Sequence, residues 1–155
     1  MGDEPFLVYA GDTFIVSKDF NFLRRLVIAH EEFKAEASLL CESVENPERF
    51  GVIIGREISQ RRYRIERIIE KPEKPPSNLV AIAVYLFESI IFNALEKTPD
   101  TNGEKELTDA IQRLVGGSRS VYAAELRHDE ARLDVGTPDA YRSALDRSYD
   151  STVKL

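Results

Sequence analysis

The sequence predicts a single α/β domain in which helices flank a mixed β-sheet. Short apolar runs ended by turn residues alternate with segments whose apolar residues recur every three or four positions, as expected for strands and amphipathic helices. A central segment alternates apolar with charged residues, which is typical of strands with one solvated face. The chain has 155 residues, enough for one domain with a real core, and no internal repeat.

The first part of the chain predicts a strand, a helix and a second strand. Residues 6–12, FLVYAGD, form an apolar run ended by Gly-Asp, which fits a strand buried on both faces. Ser17 then offers an N-cap for a helix that runs to about Glu36. A second apolar run, ASLLCESV, occupies residues 37–44. Because these elements come in this order, we expect a βαβ unit with parallel strands.

The middle of the chain predicts more strands. In residues 50–72, FGVIIGREISQRRYRIERIIEKP, apolar and charged residues alternate, so we expect two or three strands with a turn near Ser59 and Gln60. Residues 81–89, AIAVYLFES, read as another buried strand, and a short amphipathic helix follows at 89–97.

The last third predicts a loop, two helices and a strand. The composition of residues 97–106 is typical of a loop. Thr108 and Asp109 are expected to cap the helix that follows, and residues 120–126, SVYAAEL, to form the next strand. The sequence Thr-Pro-Asp beginning at Thr137 combines an N-cap, a proline at the first helical position and an early acid, and so predicts the final helix.

Composition narrows the class of function. The hydrophobic share of 43% and the charged share of 31% are ordinary for a soluble protein. The net charge of −6 argues against general nucleic-acid binding, which requires a basic face. An acidic protein can still hold a phosphate through a lysine or a metal ion. We find no signal peptide and no long apolar span, and therefore expect a cytoplasmic protein that does not bind membranes.

The cysteine and the histidines carry little functional signal. A single cysteine, Cys41, excludes an internal disulfide, and its apolar surroundings predict a small core residue. His30 and His128 are far apart, and neither has a second metal ligand at helical spacing. We expect both to be surface or rim residues.

Two aspartates follow or flank apolar segments. Asp12 comes after the first predicted strand, and Asp134 precedes the last helix. Carboxylates brought together where strands end would repel unless they share a proton or a cation, and Mg²⁺ takes one or two carboxylates plus substrate phosphates. Taken singly, however, each aspartate is more typical of ordinary turn and cap chemistry.

Residues 68–78, IIEKPEKPPSN, combine an apolar strand end with an acid, a base and three prolines. Charged residues and prolines commonly mark strand ends and turns. Alternatively, a stiff backbone holds Glu70 and Lys71 at the mouth of a pocket. Adjacent strand residues point to opposite faces, and Pro72 is expected to hold Lys71 extended or in the polyproline conformation. Both side chains can therefore reach one ligand only if the backbone twists there.

Four segments together resemble one enzyme family. In chain order they are YAGDTFI, FGVI with IIEKP, GEKELTDAI and RLDVGTPDAY. This order and spacing resemble the sugar-phosphate nucleotidylyltransferases, in particular the glucose-1-phosphate thymidylyltransferases and UTP–glucose-1-phosphate uridylyltransferases. The resemblance extends from Phe6 to about Leu145.

The resemblance implies a fold, a reaction and a metal. It implies a Rossmann-like α/β fold and transfer of a nucleotidyl group from UTP or dTTP to a sugar 1-phosphate, such as glucose 1-phosphate, with release of pyrophosphate. By the same resemblance, Asp12 and Asp134 match the ligands of Mg²⁺.

The resemblance also assigns residues to the sugar 1-phosphate. Glu70 matches an acid that binds sugar hydroxyls, and Lys71 matches a catalytic lysine that holds the sugar phosphate. Gly51 matches a glycine whose backbone faces the sugar, and Tyr85 an aromatic residue near the sugar pocket.

The chain departs from the family in one main respect. Members carry a glycine-rich loop with an arginine and a later Lys-Pro pair, which cradle the triphosphate, and these 155 residues contain no such loop. We therefore expect one α/β unit over residues 1–155 that is the C-terminal part of the fold without the nucleotide-binding part, inactive alone. The alternative is a non-catalytic sugar-phosphate-binding or assembly module that needs a separate N-terminal half. Uncovered strands are expected to make it a homodimer.

Overall fold

The computed structural model describes residues 4–100 and 103–153, without the side chains of Asp19, Asp134 and residues 147–153. These described residues form eight strands, four α-helices and two short 3₁₀ turns. The strands are β1 Phe6–Tyr9, β2 Thr13–Val16, β3 Ala37–Ser43, β4 Gly51–Ser59, β5 Arg62–Glu70, β6 Leu79–Phe87, β7 Val121–Glu125 and β8 Ala131–Asp134. The helices are α1 Asn21–Glu32, α2 Ile90–Glu96, α3 Leu107–Gly116 and α4 Pro138–Val153.

Six strands form the main sheet, in the order β1-β6-β3-β7-β5-β4. Among the described strand pairs, β3 and β7 are parallel and the others are antiparallel, so the predicted mixed sheet is confirmed. The first strand of the β4–β5 hairpin also pairs with β6, through Val52 and Val80. The strands β4, β6, β3, β7 and β5 therefore close into a ring, which fixes both strands of the hairpin against the rest of the sheet.

The first strand lies at the edge of the sheet. β1 and β3 run in the same direction, but β6 lies between them and is antiparallel to both. The expectation that β1 is buried on both faces was wrong, since Leu7 is 46% exposed and Tyr9 37% exposed. A short apolar run does not distinguish a central strand from an edge strand, because both contain the same residue types.

The segment after β1 contains a strand that the sequence did not predict. β2 pairs with β8 in a separate two-stranded antiparallel sheet. The predicted helix start at Ser17 was also wrong: its hydroxyl donates to Glu130 Oε1 at 3.0 Å, and α1 begins at Asn21. Phe20, just before the helix, adopts a left-handed backbone conformation with φ of 52°.

Each face of the main sheet carries a hydrophobic core. One core lies beneath α2 and α3 and includes Cys41, as predicted, while the other lies beneath α1. His30, expected at the surface, is 4% exposed, so that expectation was wrong. Its Nδ1 lies 3.0 Å from Ser38 Oγ and its Nε2 3.3 Å from Glu88 Oε1, and these contacts satisfy a buried imidazole. His128 is exposed, as predicted.

The two later helices begin differently from one another. In α4 the Thr137 hydroxyl accepts a hydrogen bond from the Ala140 N–H at 3.2 Å, so the predicted cap is confirmed. The cap predicted for α3 at Thr108 was wrong, because the helix already starts at Leu107 and Thr108 is buried in its first turn. Among the described residues, we find no helix long and apolar enough to cross a membrane.

Gly55 provides a test of the hairpin geometry. It lies where the β4–β5 pairing shifts, and a Cβ added there would lie 2.7 Å from the backbone oxygen of Arg64. We predict that Gly55→Ala lowers the free energy of unfolding by about 1–3 kcal/mol, as overpacking typically does. Urea denaturation measures this difference. Gly116→Ala, which meets no atom within 4 Å, is the control and should leave stability unchanged or slightly higher; equal stability of the two variants would contradict the hairpin geometry.

Candidate functional site

Gly51 and Glu70 face each other across the β4–β5 hairpin. A Cβ added at Gly51 would lie 3.3 Å from Glu70 Oε2 and 3.0 Å from the hydroxyl oxygen of Thr108. The absent side chain therefore lets the carboxylate of Glu70 and the hydroxyl of Thr108 approach the strand backbone. Thr108 was not predicted as a site residue, although it lies within one of the four family segments, GEKELTDAI.

The backbone turns sharply after Glu70. Lys71 adopts a φ of 38°, so the expectation that Pro72 holds it extended or in the polyproline conformation was wrong. The Lys71 N–H donates to the Phe50 carbonyl oxygen at 3.0 Å, a bond that holds the turn. This turn supplies the twist that the two side chains needed, because Lys71 Nζ lies 3.1 Å from Glu70 Oε1.

The lysine of this pair is exposed and the acid is sheltered. The side chain of Lys71 is 59% exposed and that of Glu70 is 20% exposed. The hydrogen bond and charge of Glu70 raise the pKa of Lys71, and the charges of Glu106 and Glu104 add to this effect. The ammonium therefore remains protonated at neutral pH and has donors left for a further anion, since it carries three.

Tyr85 of β6 lies within electrostatic reach of the same carboxylate. Burial, and to a smaller extent the charge of Glu70, raises the pKa of Tyr85 to about 12. Its ring stacks on Phe87 with centroids 5.5 Å apart. The phenol is therefore a neutral group in the pH range in which the protein would work, and its hydroxyl can donate a hydrogen bond.

The two aspartates lie at one end of the small sheet, Asp12 in the turn before β2 and Asp134 as the last residue of β8. Thr13 of β2 pairs with Asp134 of β8, and the Val135 N–H donates to the Asp12 carbonyl oxygen at 2.9 Å. Their backbones are therefore adjacent. The carboxylate of Asp12 is exposed, whereas the side chain of Asp134 lies outside the described part of the structure, so the approach of the two carboxyl groups stays a prediction.

Metal coordination by protein groups alone has little support in the described part of the chain. We find there no group of three or more His, Cys, Asp or Glu residues that could hold a metal ion. Two carboxylates suffice for Mg²⁺ when substrate phosphates complete its coordination.

Comparison with known proteins identifies the family. The sequence profile described as "Nucleotidyl transferase" matches residues 1–150. This chain belongs to the nucleotidyl transferase family. UTP–glucose-1-phosphate uridylyltransferase AglF of Haloferax volcanii is 34% identical over 155 residues, which are 98% of this chain and 60% of that protein.

Two further relatives also match most of this chain. A UTP–glucose-1-phosphate uridylyltransferase of Bacillus subtilis is 37% identical over 143 residues, covering 88% of this chain and 47% of the relative. The crystal structure of a UDP-glucose pyrophosphorylase complexed with UDP-glucose superposes with a TM-score of 0.87 at 29% identity, over 97% of this chain and 58% of that chain. The chain thus spans about half the length of the relatives that it matches.

The contact between Glu70 and Lys71 can be tested by titration. We predict that Glu70→Gln lowers the pKa of Lys71 towards the ordinary lysine value, because the hydrogen bond and the charge that favour the ammonium are weakened or lost. NMR titration of the lysine ε-carbons measures the change, with the Lys71 signal assigned from Lys71→Arg. Glu73→Gln removes a nearby acid that does not act on Lys71 and should leave the pKa unchanged. An unchanged pKa in Glu70→Gln would disprove the contact.

Proposed function

We propose that this chain supplies the sugar-phosphate site and part of the metal site of a sugar-1-phosphate nucleotidylyltransferase. The reaction would transfer a nucleotidyl group from UTP or dTTP to glucose 1-phosphate, giving a nucleoside-diphosphate sugar and pyrophosphate. The observation that carries the proposal is the pairing of Glu70 with Lys71 beside Gly51. It places a sheltered acceptor next to an exposed cation, the two groups that a sugar phosphate requires.

Each group of this site suits one part of the substrate. The carboxylate of Glu70 can accept hydrogen bonds from two neighbouring sugar hydroxyls, and the ammonium of Lys71 can hold the phosphate as a point charge. The absent side chain of Gly51 leaves room for the Glu70 carboxylate beside the strand, and Tyr85 would line the pocket beside Glu70.

The proposed chemistry requires alignment more than covalent help. An oxygen of the sugar phosphate attacks the α-phosphorus of the triphosphate, and the bond from that phosphorus to the leaving pyrophosphate breaks. Holding the reactants in line can supply about 7–11 kcal/mol of the barrier. Lys71 would position the attacking phosphate oxygen, and Glu70 would fix the orientation of the sugar.

The aspartates fit a divalent cation by their placement and their oxygen chemistry. Asp12, directly before β2, and Asp134, at the end of β8, would hold Mg²⁺ at one end of the small sheet, with substrate phosphates as further ligands. When bound, Mg²⁺ would neutralise charge on the phosphate groups during transfer.

The names of the relatives support the choice of substrates. Two relatives are named as UTP–glucose-1-phosphate uridylyltransferases, and one solved relative is described as a complex with UDP-glucose. We therefore favour UTP and glucose 1-phosphate, with dTTP as the alternative nucleotide. We further expect a protein that binds no nucleic acid, because the net charge is −6. A cytoplasmic location is likewise our expectation.

A second candidate is a sugar-phosphate-binding or assembly module without activity of its own. It is favoured by the lack of a glycine-rich phosphate loop anywhere in the 155 residues. Gly116 and Gly117, the adjacent glycines of the chain, close α3 and so offer carbonyl groups where a phosphate requires N–H donors. The two candidates share the sugar-phosphate site and differ in what completes it.

Replacement of Lys71 tests the proposed site. We predict that Lys71→Ala weakens glucose 1-phosphate binding about 10- to 150-fold, since a charge-assisted contact worth about 1.5–3 kcal/mol is lost. Isothermal titration calorimetry on the purified chain measures the affinity. Lys74→Ala, which removes an exposed lysine of the same loop, is the matched control and should bind as the wild type does. Equal affinities of the two variants would exclude Lys71 from the site.

Turnover tests what these residues can do by themselves. We predict no nucleotidyl transfer by the purified 155-residue chain, because nothing in it would hold the α-phosphorus in line. A displacement of about 1 Å can already cost on the order of a hundredfold in rate. A coupled pyrophosphate-release assay with UTP or dTTP, glucose 1-phosphate and Mg²⁺ measures this. Robust Mg²⁺-dependent turnover would show that these residues suffice.

The edge of the sheet suggests self-association. Within the described part of the chain, β1 pairs only with β6, and its Leu7 and Tyr9 side chains are exposed. Such an edge can pair with a second copy. We predict that the chain is a dimer by light scattering after gel filtration and that Leu7→Lys makes it a monomer. Val27→Lys, a like change on the exposed side of α1, is the control; a wild-type monomer would contradict the prediction.

A further inference from the structure

Arg132 links the small sheet to the main sheet. It lies in β8, two residues before Asp134, and pairs in register with Ile15 of β2. Its Nε contacts Glu42 Oε1 in an ion pair, and its guanidinium lies 4.9 Å from the centroid of the Phe50 ring. The Arg132 side chain is 14% exposed, so water screens these contacts only partly.

The contact of Arg132 with Phe50 lies beside the proposed sugar-phosphate site. Phe50 directly precedes Gly51, and its carbonyl oxygen accepts the hydrogen bond from the Lys71 N–H. The guanidinium thus packs on the residue that holds the turn at Lys71. This connects β8 to the open end of the β4–β5 hairpin, where β4 begins and β5 ends.

Glu42 connects the arginine to the same region from another side. It lies near the end of β3 and pairs in register with Val80 of β6, which in turn pairs with Val52 at the start of β4. Arg132 therefore contacts the main sheet at two places, on β3 and just before β4, which are both next to β6. An arginine can make both contacts at once, because its flat guanidinium stacks on an aromatic face while its edge donates to a carboxylate. A lysine has no such planar group.

We propose that Arg132 is a positioning residue that holds the end of the β2–β8 pair, where Asp12 and Asp134 lie, at a fixed place relative to Glu70 and Lys71. The inference rests on the proposed function. Its consequence is that Mg²⁺ at the aspartates and glucose 1-phosphate at Lys71 would strengthen each other's binding, since the cation and the Lys71 ammonium would bind the same phosphate group. The coupling depends on the distance between two sheets that Arg132 joins. An ion pair with a structural role only would affect stability and leave this coupling intact.

The test measures the coupling between the two ligands. Calorimetry gives the affinity of the 155-residue chain for glucose 1-phosphate with and without MgCl₂, after subtraction of the heat of Mg²⁺ binding to the free sugar phosphate. We expect Mg²⁺ to raise the affinity of the wild type by about 5- to 150-fold, a typical coupling between two sites. Arg132→Met should lose most of this enhancement and keep the affinity without Mg²⁺ within about twofold, the signature of a pure coupling change.

Two further variants make the result specific to Arg132. Arg132→Lys keeps the charge without the flat guanidinium and should retain only part of the enhancement. If Arg132→Met does not fold, Arg132→Lys and Glu42→Gln are measured in its place. Arg119→Met removes an arginine from a distant ion pair, with Arg119 Nη1 2.8 Å from Glu36 Oε1, and should keep the full enhancement.

The outcomes separate the inference from the proposed function. If the wild type does not bind glucose 1-phosphate, the proposed function fails and the inference with it. If it binds, the inference alone is overturned by any of three results: no Mg²⁺ enhancement in the wild type, full enhancement in Arg132→Met, or an equal loss of affinity with and without Mg²⁺.

Discussion

The backbone turn at Lys71 is the feature on which the proposed site depends. A regular strand would direct Glu70 and Lys71 to opposite faces, where no single ligand could contact both. A left-handed conformation at a residue other than glycine costs on the order of 1–3 kcal/mol and persists only where the surroundings enforce it. Here the Lys71 N–H binds the Phe50 carbonyl oxygen and the ammonium contacts Glu70. The turn thus converts a strand end into a paired acid and base.

The rest of the fold keeps this turn in place. The ring of five strands holds the start of β4 against β6, and the side-chain oxygen of Gln112 in α3 accepts the Ile68 N–H at 2.8 Å. The proline-rich exit is held as well, because Ser77 donates to the Ile53 carbonyl oxygen at 2.6 Å. Side chains fixed by packed elements on several sides are held more accurately than those on a free loop. The site residues are thus carried by strands that cannot move independently.

Sequence reasoning found the elements better than their arrangement. Periodicity placed the central strands and the last helix because those segments are long or clearly capped. It missed β2 and β8, which have four residues each and mix polar with apolar side chains, and it could not place β6 between β1 and β3. Strand order depends on contacts between distant segments, and no local pattern encodes it.

The site shows the same limit at the level of single residues. The family segments singled out Gly51, Glu70 and Lys71, which the fold brings together. The Lys71 turn was missed because the preference imposed by Pro72 is local, whereas the bond to Phe50 joins Lys71 to a distant part of the chain, just before β4. Thr108 was interpreted as a helix cap, since cap chemistry uses the same residue types as ligand binding.

The most direct test of this account is a crystal structure of the chain with glucose 1-phosphate and Mg²⁺. The account predicts the phosphate at Lys71 Nζ, the sugar hydroxyls at the Glu70 carboxylate above Gly51, and the cation between the phosphate and Asp12. A sugar phosphate bound elsewhere, with Lys71 and Glu70 still paired and empty of ligand, would contradict it.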